Sequence, residues 1–294
     1  MFSYRHGFHA GNHADVLKHI VLIAVVKHLT AKPSPVTVVD THAGAGLYRL
    51  DDDFAGTSGE AADGILKLRE APPASPLVQD YLALVASFNR PGEVRVYPGS
   101  PFVVHALLRQ EARDKLRLFE MHPTDSKALA AHVEQMQAGR QVMAQRVDGF
   151  EGLKALLPPP SRRALVLVDP SYEIKTDYAK VAHCLQDSLK RFATGTYMIW
   201  YPVIPRPEAH ELPRRLKTIA NQSGKPWLHA TLAIGQDEAR NTLGDEPQRQ
   251  GLTASGVLLV NPPHTLKPAL KEALPQLLAV LGRGKGQSQA LESS

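Results

Sequence analysis

Short apolar runs that alternate with amphipathic helical patterns are the feature that most constrains the fold of this chain. Seven runs predict strands, at residues 36–40, 115–120, 141–148, 164–169, 196–201, 228–234 and 255–261. Helical patterns precede or separate most of them, at residues 12–29, 101–113, 124–136, 177–192 and 208–222. This alternation predicts an α/β domain with a mostly parallel, seven-stranded sheet. The last two runs lack a helical pattern between them, so we expect them to pair as a hairpin at one sheet edge.

One connection in this pattern is too long. The first strand ends near residue 40 and the second begins near residue 115, whereas a crossover with its helix needs roughly 30 residues. The surplus contains two helical patterns that are split by a proline-rich segment, and the second carries an apolar stripe. We therefore expect a main domain at 1–49 and 97–281 with a small helical subdomain inserted at 50–96. Residues 282–294 are expected to form a flexible tail.

Composition argues against several classes of protein. No apolar run approaches the roughly 20 residues that a membrane span needs, and polar residues occupy the place of a signal peptide's apolar core. The single cysteine, Cys184, leaves no partner for an intramolecular disulfide and suits a reducing cytoplasm. The formal charge of +5 permits nucleic-acid binding without requiring it. We therefore expect a cytoplasmic protein with no membrane partner.

Acids and glycines follow the first three predicted strands. The first is followed by Asp-Thr-His-Ala-Gly-Ala-Gly at residues 40–46, the second ends at Glu120, and the third ends at Asp148-Gly149. Glycines let the backbone approach a ligand, and an acid after the second strand suits ribose hydroxyls. A dinucleotide fingerprint would need a further glycine where Arg49 stands, so the loop looks instead like that of S-adenosylmethionine-dependent methyltransferases. Ordinary turns would explain each residue taken singly.

The tetrapeptide Asp169-Pro170-Ser171-Tyr172 ends the apolar fourth strand. In parallel sheets, ligands bind beyond the carboxyl ends of the strands. An acid and a carbonyl there can accept hydrogen bonds from a base amine, while an aromatic ring stacks on the base. A strand end with a proline turn is the plainer alternative. The nearby Lys175 is the better candidate for a phosphate contact among the basic residues.

The N-terminal residues 4–13 are rich in aromatic and histidine side chains. Four histidines within the first nineteen positions suggest a metal site, but no familiar zinc pattern accompanies them, so we expect none. Tyr4 could instead stack on a nucleic-acid strand. His19 lies near the apolar face of the following helix, where it either packs or contacts a ligand. Ser100 and Pro101 suit the cap and first turn of a later helix.

Taken together, these residues resemble the RlmJ family of large-subunit ribosomal RNA adenine N6-methyltransferases. The resemblance covers roughly residues 1–275 and rests on the blocks 4–6, 10–19, 40–46, 97–101, 148–150, 175–178, 191–195, 200–202 and 253–256. It implies a Rossmann-like Class I methyltransferase fold with a helical insertion. By position it implies cofactor contacts at His19, His42, Ser100, Glu120, Asp148 and Gly149, alongside Gly44 of the glycine loop. It also implies a catalytic Asp169 aided by Pro170 and Tyr172, and a substrate contact at Tyr4.

The implied activity is direct methyl transfer from S-adenosylmethionine to the N6 amine of a flipped-out adenosine in 23S ribosomal RNA. S-adenosylhomocysteine is the implied product, and no metal is required. We expect a monomer that acts before the ribosome is fully assembled. One position departs from the family, because Ser171 stands where the motif usually has a second proline. A DNA adenine N6-methyltransferase and a non-catalytic RNA-binding module with the same fold remain the alternatives.

Overall fold

A large mixed sheet flanked by helices forms the centre of the computed structural model, which describes residues 7, 9–50, 60–236 and 251–294. The strands are β1 Thr37–Asp40, β2 Leu47–Arg49, β3 Val96–Pro98, β4 Lys115–Phe119, β5 Val142–Gln145, β6 Ala164–Val168, β7 Thr196–Pro202, β8 Trp227–Gln236, β9 Ala254–Val260 and β10 Lys285–Ser293. The α-helices are α1 His13–Thr30, α2 Lys67–Glu70, α3 Pro76–Ala86, α4 Ser100–His105, α5 Pro123–Gln135, α6 Gly149–Leu156, α7 Thr176–Arg191, α8 Pro207–Gln222 and α9 Leu266–Leu281. A π-helical turn, Ala62–Leu66, precedes α2, and a 3₁₀ turn, Gly139–Gln141, precedes β5.

The large sheet has eight strands in the order β10-β8-β9-β7-β6-β1-β4-β5. Five neighbouring strands of this sheet are parallel to one another: β7, β6, β1, β4 and β5. The other three, β9, β8 and β10, are antiparallel to their neighbours. The prediction of an α/β Rossmann-like fold is confirmed, as is the pairing of β8 with β9. In the parallel part the strand order reverses at β1, between its neighbours β6 and β4. Such a switch point is where open α/β sheets bind ligands.

Alternation along the buried strands explains why helices cover both faces. In β6, Leu165 and Leu167 belong to one apolar cluster, while Val166 and Val168 belong to the other. The first cluster also contains side chains of α1, α3 and α9, and the second contains those of α7 and α8. A strand that is buried on both sides needs an unbroken apolar sequence, which is the pattern at 164–168.

The expectation of a flexible tail is wrong for the end of the chain. Lys285–Ser293 forms β10, which pairs antiparallel with β8 from Lys285 opposite Gln236 to Ser293 opposite Leu228. This adds an eighth strand to the large sheet, and β10, not the pair of β8 and β9, forms the sheet edge. The side chains of this strand are mostly polar and exposed, so its sequence shows no apolar pattern that would predict a strand. An edge strand needs no apolar face when backbone hydrogen bonds hold it.

The predicted insertion does contain helices. The apolar stripe of α3, with Leu77 and Tyr81 buried, joins the same cluster as α1 and α9. Strands β2 and β3 pair antiparallel at the two ends of the insertion. The described part of the insertion therefore shares the core of the main domain, while the boundaries drawn at 50 and 96 stay a prediction.

Helix α1 is buried nearly all round and brings charged groups into the interior. It begins after Asn12, whose side-chain oxygen accepts hydrogen bonds from the N–H groups of Ala14 and Asp15. Asp15, Lys18 and His19 are buried along with the apolar residues of the helix. Buried charges must be paired to be tolerated, so this helix marks a polar site. In the described part of the chain, no helix combines the length and apolarity that crossing a bilayer requires.

Candidate active site at the carboxyl edge of the sheet

A cavity of about 630 Å³ lies beyond the carboxyl ends of the parallel strands. This volume is in the range of small-molecule sites. Ten residues predicted for cofactor binding or catalysis line it: His19, His42, Gly44, Ser100, Glu120, Asp148, Gly149, Asp169, Pro170 and Tyr172. The structure therefore brings these ten positions together around one cavity. Their individual roles stay predictions.

The part of the cavity formed by Gly44, Ser100, Glu120, Asp148 and Gly149 is called here the glycine-loop end. There, the N–H of Gly44 donates to Glu120 Oε2 at 2.7 Å, and the N–H of His122 donates to Oε1, also at 2.7 Å. Burial raises the pKa of Glu120, although the two backbone donors oppose that shift. A carboxylate has about four acceptor positions, so Glu120 retains capacity for hydroxyl groups of a ligand.

Asp148 and Gly149 are shaped first by local structure. Asp148 caps α6, since its Oδ1 accepts from the N–H of Phe150 at 2.9 Å and of Glu151 at 3.3 Å. A Cβ at Gly149 would lie 1.9 Å from the carbonyl oxygen of Thr41. The glycine is therefore required by the contact between α6 and the loop after β1, a packing reason that the sequence did not reveal.

Ser100 differs from its predicted capping role. Gly99 is the N-cap residue of α4, and the Ser100 hydroxyl donates to Asp40 Oδ2 at 2.6 Å. Asp40 also accepts from the N–H of His42 at 3.2 Å, and burial raises the pKa of Asp40 to about 6. Burial likewise lowers the pKa of His42 to about 4. Its ring packs edge-on against Phe150, with centroids 4.9 Å apart.

A second group, called here the lysine corner, consists of Asp15, Lys18, Asp169, Tyr172 and Trp200. Lys18 Nζ donates to Asp169 Oδ2 at 2.6 Å and contacts Asp15 Oδ1 at 2.9 Å. Burial lowers the pKa of Lys18, but the two carboxylates outweigh it and hold that pKa well above its ordinary value. The ammonium also lies 5.8 Å from the centroid of the Trp200 ring. Lys18 thus holds Asp169 in place.

Sequence reasoning missed Lys18 because the helix around it was interpreted as core. The available signal was an Asp and a Lys three positions apart within an otherwise apolar face. The two charges of such a pair cancel, but the ammonium has three N–H donors and a single carboxylate does not use them all, so a further acceptor is expected in the fold. That partner, Asp169, lies 151 positions further along the chain.

Tyr172 is held more tightly than a free stacking surface would be. Its φ is 54°, in the left-handed region, and its hydroxyl donates to the carbonyl of Trp200 at 2.7 Å. Its ring lies against Tyr178, with centroids 4.7 Å apart, and the residue is 2% exposed. A base would meet a small part of this ring, so Tyr172 orients the loop as well as offering a contact.

Of the two positions predicted to contact substrate, Lys175 is described by the structure and Tyr4 is not. Lys175 is exposed, outside the cavity, and its Nζ lies 3.4 Å from Glu208 Oε1. Tyr4 falls outside the described residues. Of the N-terminal histidines, His9 Nδ1 contacts Glu60 Oε2 at 2.9 Å and His19 Nδ1 shares a 2.7 Å hydrogen bond with the Tyr97 hydroxyl. Within the described ranges, no three His, Cys, Asp or Glu side chains are grouped as a metal site.

Comparison with known proteins decides the family. The family model described as "Ribosomal RNA large subunit methyltransferase D, RlmJ" matches residues 33–291. The chain belongs to this family. The resemblance drawn from the sequence motifs is thereby confirmed.

Curated relatives and a solved structure agree with this family. Ribosomal RNA large subunit methyltransferase J of Escherichia coli (strain K12) is 40% identical, over 94% of this chain and 93% of its own. The Haemophilus influenzae protein of the same name is 39% identical, over 96% and 94%. The crystal structure of protein LPL1258 from Legionella pneumophila superposes with a TM-score of 0.82 at 31% identity, covering 97% of this chain and 98% of that one. The similarity therefore extends over nearly the whole fold.

Proposed function

We propose that this protein transfers a methyl group from S-adenosylmethionine to the N6 amine of an adenosine in 23S ribosomal RNA. One observation carries the proposal: Asp169 and Pro170 line the same cavity as Gly44 and Glu120. An acceptor pair for a base amine thus adjoins a site with acceptors for a nucleoside. The names of the relatives supply the substrate, since both act on large-subunit ribosomal RNA.

The residues at the glycine-loop end fit S-adenosylmethionine. Glu120 retains acceptor capacity for ribose hydroxyls. Asp148 lies three residues after β5, at the N-cap of α6, where a carboxylate oxygen can accept from the adenine amine. The half-buried His42 ring, packed on Phe150, supplies part of the wall. When bound, the cofactor supplies an electrophilic methyl group on a sulfonium that leaves as a neutral thioether. We expect that no metal is needed for this reaction.

Asp169 and Pro170 prepare the amine for attack. The lone pair of the adenine amine is conjugated with the ring, so the amine is a poor nucleophile. Because Lys18 occupies Oδ2 of Asp169, Oδ1 remains to accept one amine hydrogen, and the Pro170 carbonyl accepts the other. Two fixed acceptors favour a tetrahedral nitrogen and direct its lone pair toward the methyl group. The nitrogen that receives the methyl group must release one proton, and the Asp169 carboxylate can accept it. Lys18 acts on this step by fixing the carboxylate.

An adenosine within a stacked strand cannot reach this position. The acceptors lie inside a cavity at the carboxyl edge of the sheet. The base must therefore leave its stack to enter the cavity, at a cost of about a few kcal/mol. We infer that the protein acts as a monomer in the cytoplasm, on RNA that is not yet covered by the assembled ribosome. Contacts across the rim must offset the cost of extracting the base.

The proposal is tested by methyl transfer from labelled S-adenosylmethionine to transcribed 23S ribosomal RNA, followed by mass spectrometry of the nucleosides. We expect N6-methyladenosine as the product, with plasmid DNA unmodified in a parallel reaction. Methylation of the DNA instead would support the DNA methyltransferase alternative. Cofactor binding by calorimetry without any methyl transfer would support the non-catalytic alternative, and label in another nucleoside would overturn the N6 assignment.

A further inference from the structure

Among the described residues, two large apolar side chains that line the cavity, Ile174 and Met121, are exposed to solvent. Ile174 is 55% exposed and lines the cavity two residues after Tyr172. Among the described residues, the other large apolar side chains with comparable exposure are Met121, Met143 and Val147, at 42–43%. Of these, Met143 and Val147 lie away from the cavity. Isolated exposed apolar residues need no functional explanation by themselves. Ile174 is distinguished by its backbone, which hydrogen bonds hold in place.

That backbone is held from both sides. Arg206 Nη1 donates to the carbonyls of Tyr172 at 3.2 Å and Glu173 at 3.3 Å. The N–H of Asp177, in the first turn of α7, donates to the Ile174 carbonyl at 3.1 Å. The loop therefore presents Ile174 to solvent on a fixed support, and little conformational entropy is lost when a partner contacts it.

The chemistry around Ile174 identifies the partner. Charges of both signs are mixed near it, since Lys175 contacts Glu208 and Arg206 bonds the carbonyl of Glu173. Charge alone therefore does not select a ligand there. An apolar side chain beside a base-binding cavity suits the face of a nucleobase. Proteins that unstack bases insert such side chains between them, and isoleucine is among the residues used.

We propose that Ile174 is a wedge that packs against the base next to the target adenosine and fills part of the gap that the flipped adenosine leaves. This rests on the proposed function and extends it to the RNA outside the cavity. The contact stabilises the unstacked state rather than the methyl transfer itself. Its effect must therefore depend on whether the target base is stacked before binding.

Two RNA hairpins test this proposal. In one, the target adenosine is paired within the stem, and in the other the opposite nucleotide is abasic, so the adenosine is already loosened. We expect Ile174→Ser to lower kcat/KM on the paired hairpin by about tenfold, the size of losing one apolar contact. On the loosened hairpin the loss should be less than about threefold. Ile174→Leu should restore most of the rate.

Met143→Ser is the matched control, because Met143 is exposed to a similar extent but lies away from the cavity. It should leave kcat/KM unchanged on both hairpins. Equal losses on the two hairpins for Ile174→Ser, or no loss on either, would overturn the wedge.

A second readout does not depend on catalysis. With 2-aminopurine at the target position, binding of wild-type protein in the presence of S-adenosylhomocysteine should raise fluorescence as the base unstacks. Ile174→Ser should reduce that rise, and an unchanged rise would count against the wedge. Failure of the proposed function has a different signature, since wild-type protein would then methylate neither hairpin.

Discussion

The glycine-loop end and the lysine corner are built by different means. At the glycine-loop end, backbone N–H groups from loops after the strands hold the acids, as in the contact from Gly44 to Glu120. At the lysine corner, the side chain of Lys18 reaches from α1 to Asp169, after β6. The contact from Gly44 to Glu120 follows from strand order, because β1 and β4 are neighbours in the sheet and their following loops meet. The ion pair depends on tertiary packing, so the two ends should respond differently to substitution.

The sharpest separation should come from Asp169→Ala. The variant removes one of the two acceptors for the amine, and we expect kcat to fall by about 10²–10⁴-fold. Affinity for S-adenosylmethionine should change little, because the glycine-loop end is untouched. Single-turnover methylation and calorimetric titration give the two quantities. Parallel losses in both would show that the two ends are not independent.

Removing the lysine should damage folding as well as rate. Lys18→Met leaves the buried Asp15 and the partly buried Asp169 without their shared cation, and we expect the free energy of unfolding to fall by about 3–5 kcal/mol. The double variant Lys18→Met/Asp15→Asn removes one of those charges and should recover part of the stability in denaturant titrations. It should not recover methylation, because Asp169 still lacks its anchor. Full activity in the double variant would reduce Lys18 to a structural role.

The same division explains what the sequence could predict. Apolar runs identify the strands, and residues that follow a parallel strand lie at the carboxyl edge of the sheet, so chain order alone places Glu120 and Asp148 there. The strand predicted at 141–148 ends earlier, at Gln145, so Asp148 lies in the loop before α6. Lys18 and Arg206 could not be placed this way, because their partners are set by how α1 and the loop before α8 pack. Strand β10 was not predicted for a related reason. It is held by backbone hydrogen bonds to β8, a pairing that leaves no apolar pattern in the sequence.

Asp40 interacts with both ends of the cavity. Its carboxylate accepts a hydrogen bond from Ser100, and the charges of Asp169 and Lys18 affect its pKa. Its pKa is raised to about 6, so the native state retains a proton that the unfolded state loses above about pH 4. The charge of Asp40 therefore lowers stability progressively from about pH 4 to pH 6. As the pH rises through that window, Asp40→Asn should become more stable than wild type. Above about pH 6 the difference in the free energy of unfolding should reach about 2–3 kcal/mol. Urea titrations at several pH values measure the difference, and a flat difference would contradict the shift.

A smaller effect, on cofactor affinity, is expected at the glycine-loop end. Glu120→Gln keeps an oxygen acceptor but loses the charge, and its amide donors would oppose the N–H groups of Gly44 and His122. We expect the Kd for S-adenosylmethionine to rise by about tenfold, the size of one charge-assisted hydrogen bond. At saturating cofactor, kcat should stay within about twofold, because Asp169 and Lys18 are unaffected. Loss of kcat with unchanged Kd would reverse the assignment of the two ends.

The smallest effect concerns Ser171, where this chain departs from the family's usual proline. Ser171 is exposed at the rim, between Pro170 and the left-handed Tyr172. A proline there would fix one more φ angle, which is worth about 0.4–1 kcal/mol where the native conformation permits it. Because Arg206 already holds the carbonyl of Tyr172, most of the loop's order is in place, and Ser171→Pro should raise kcat by about threefold at most. In the Arg206→Ala background the same substitution should give the larger gain, since the loop then lacks its anchor. Equal gains in both backgrounds, measured by single-turnover methylation, would show that Arg206 and residue 171 act on different parts of the lysine corner.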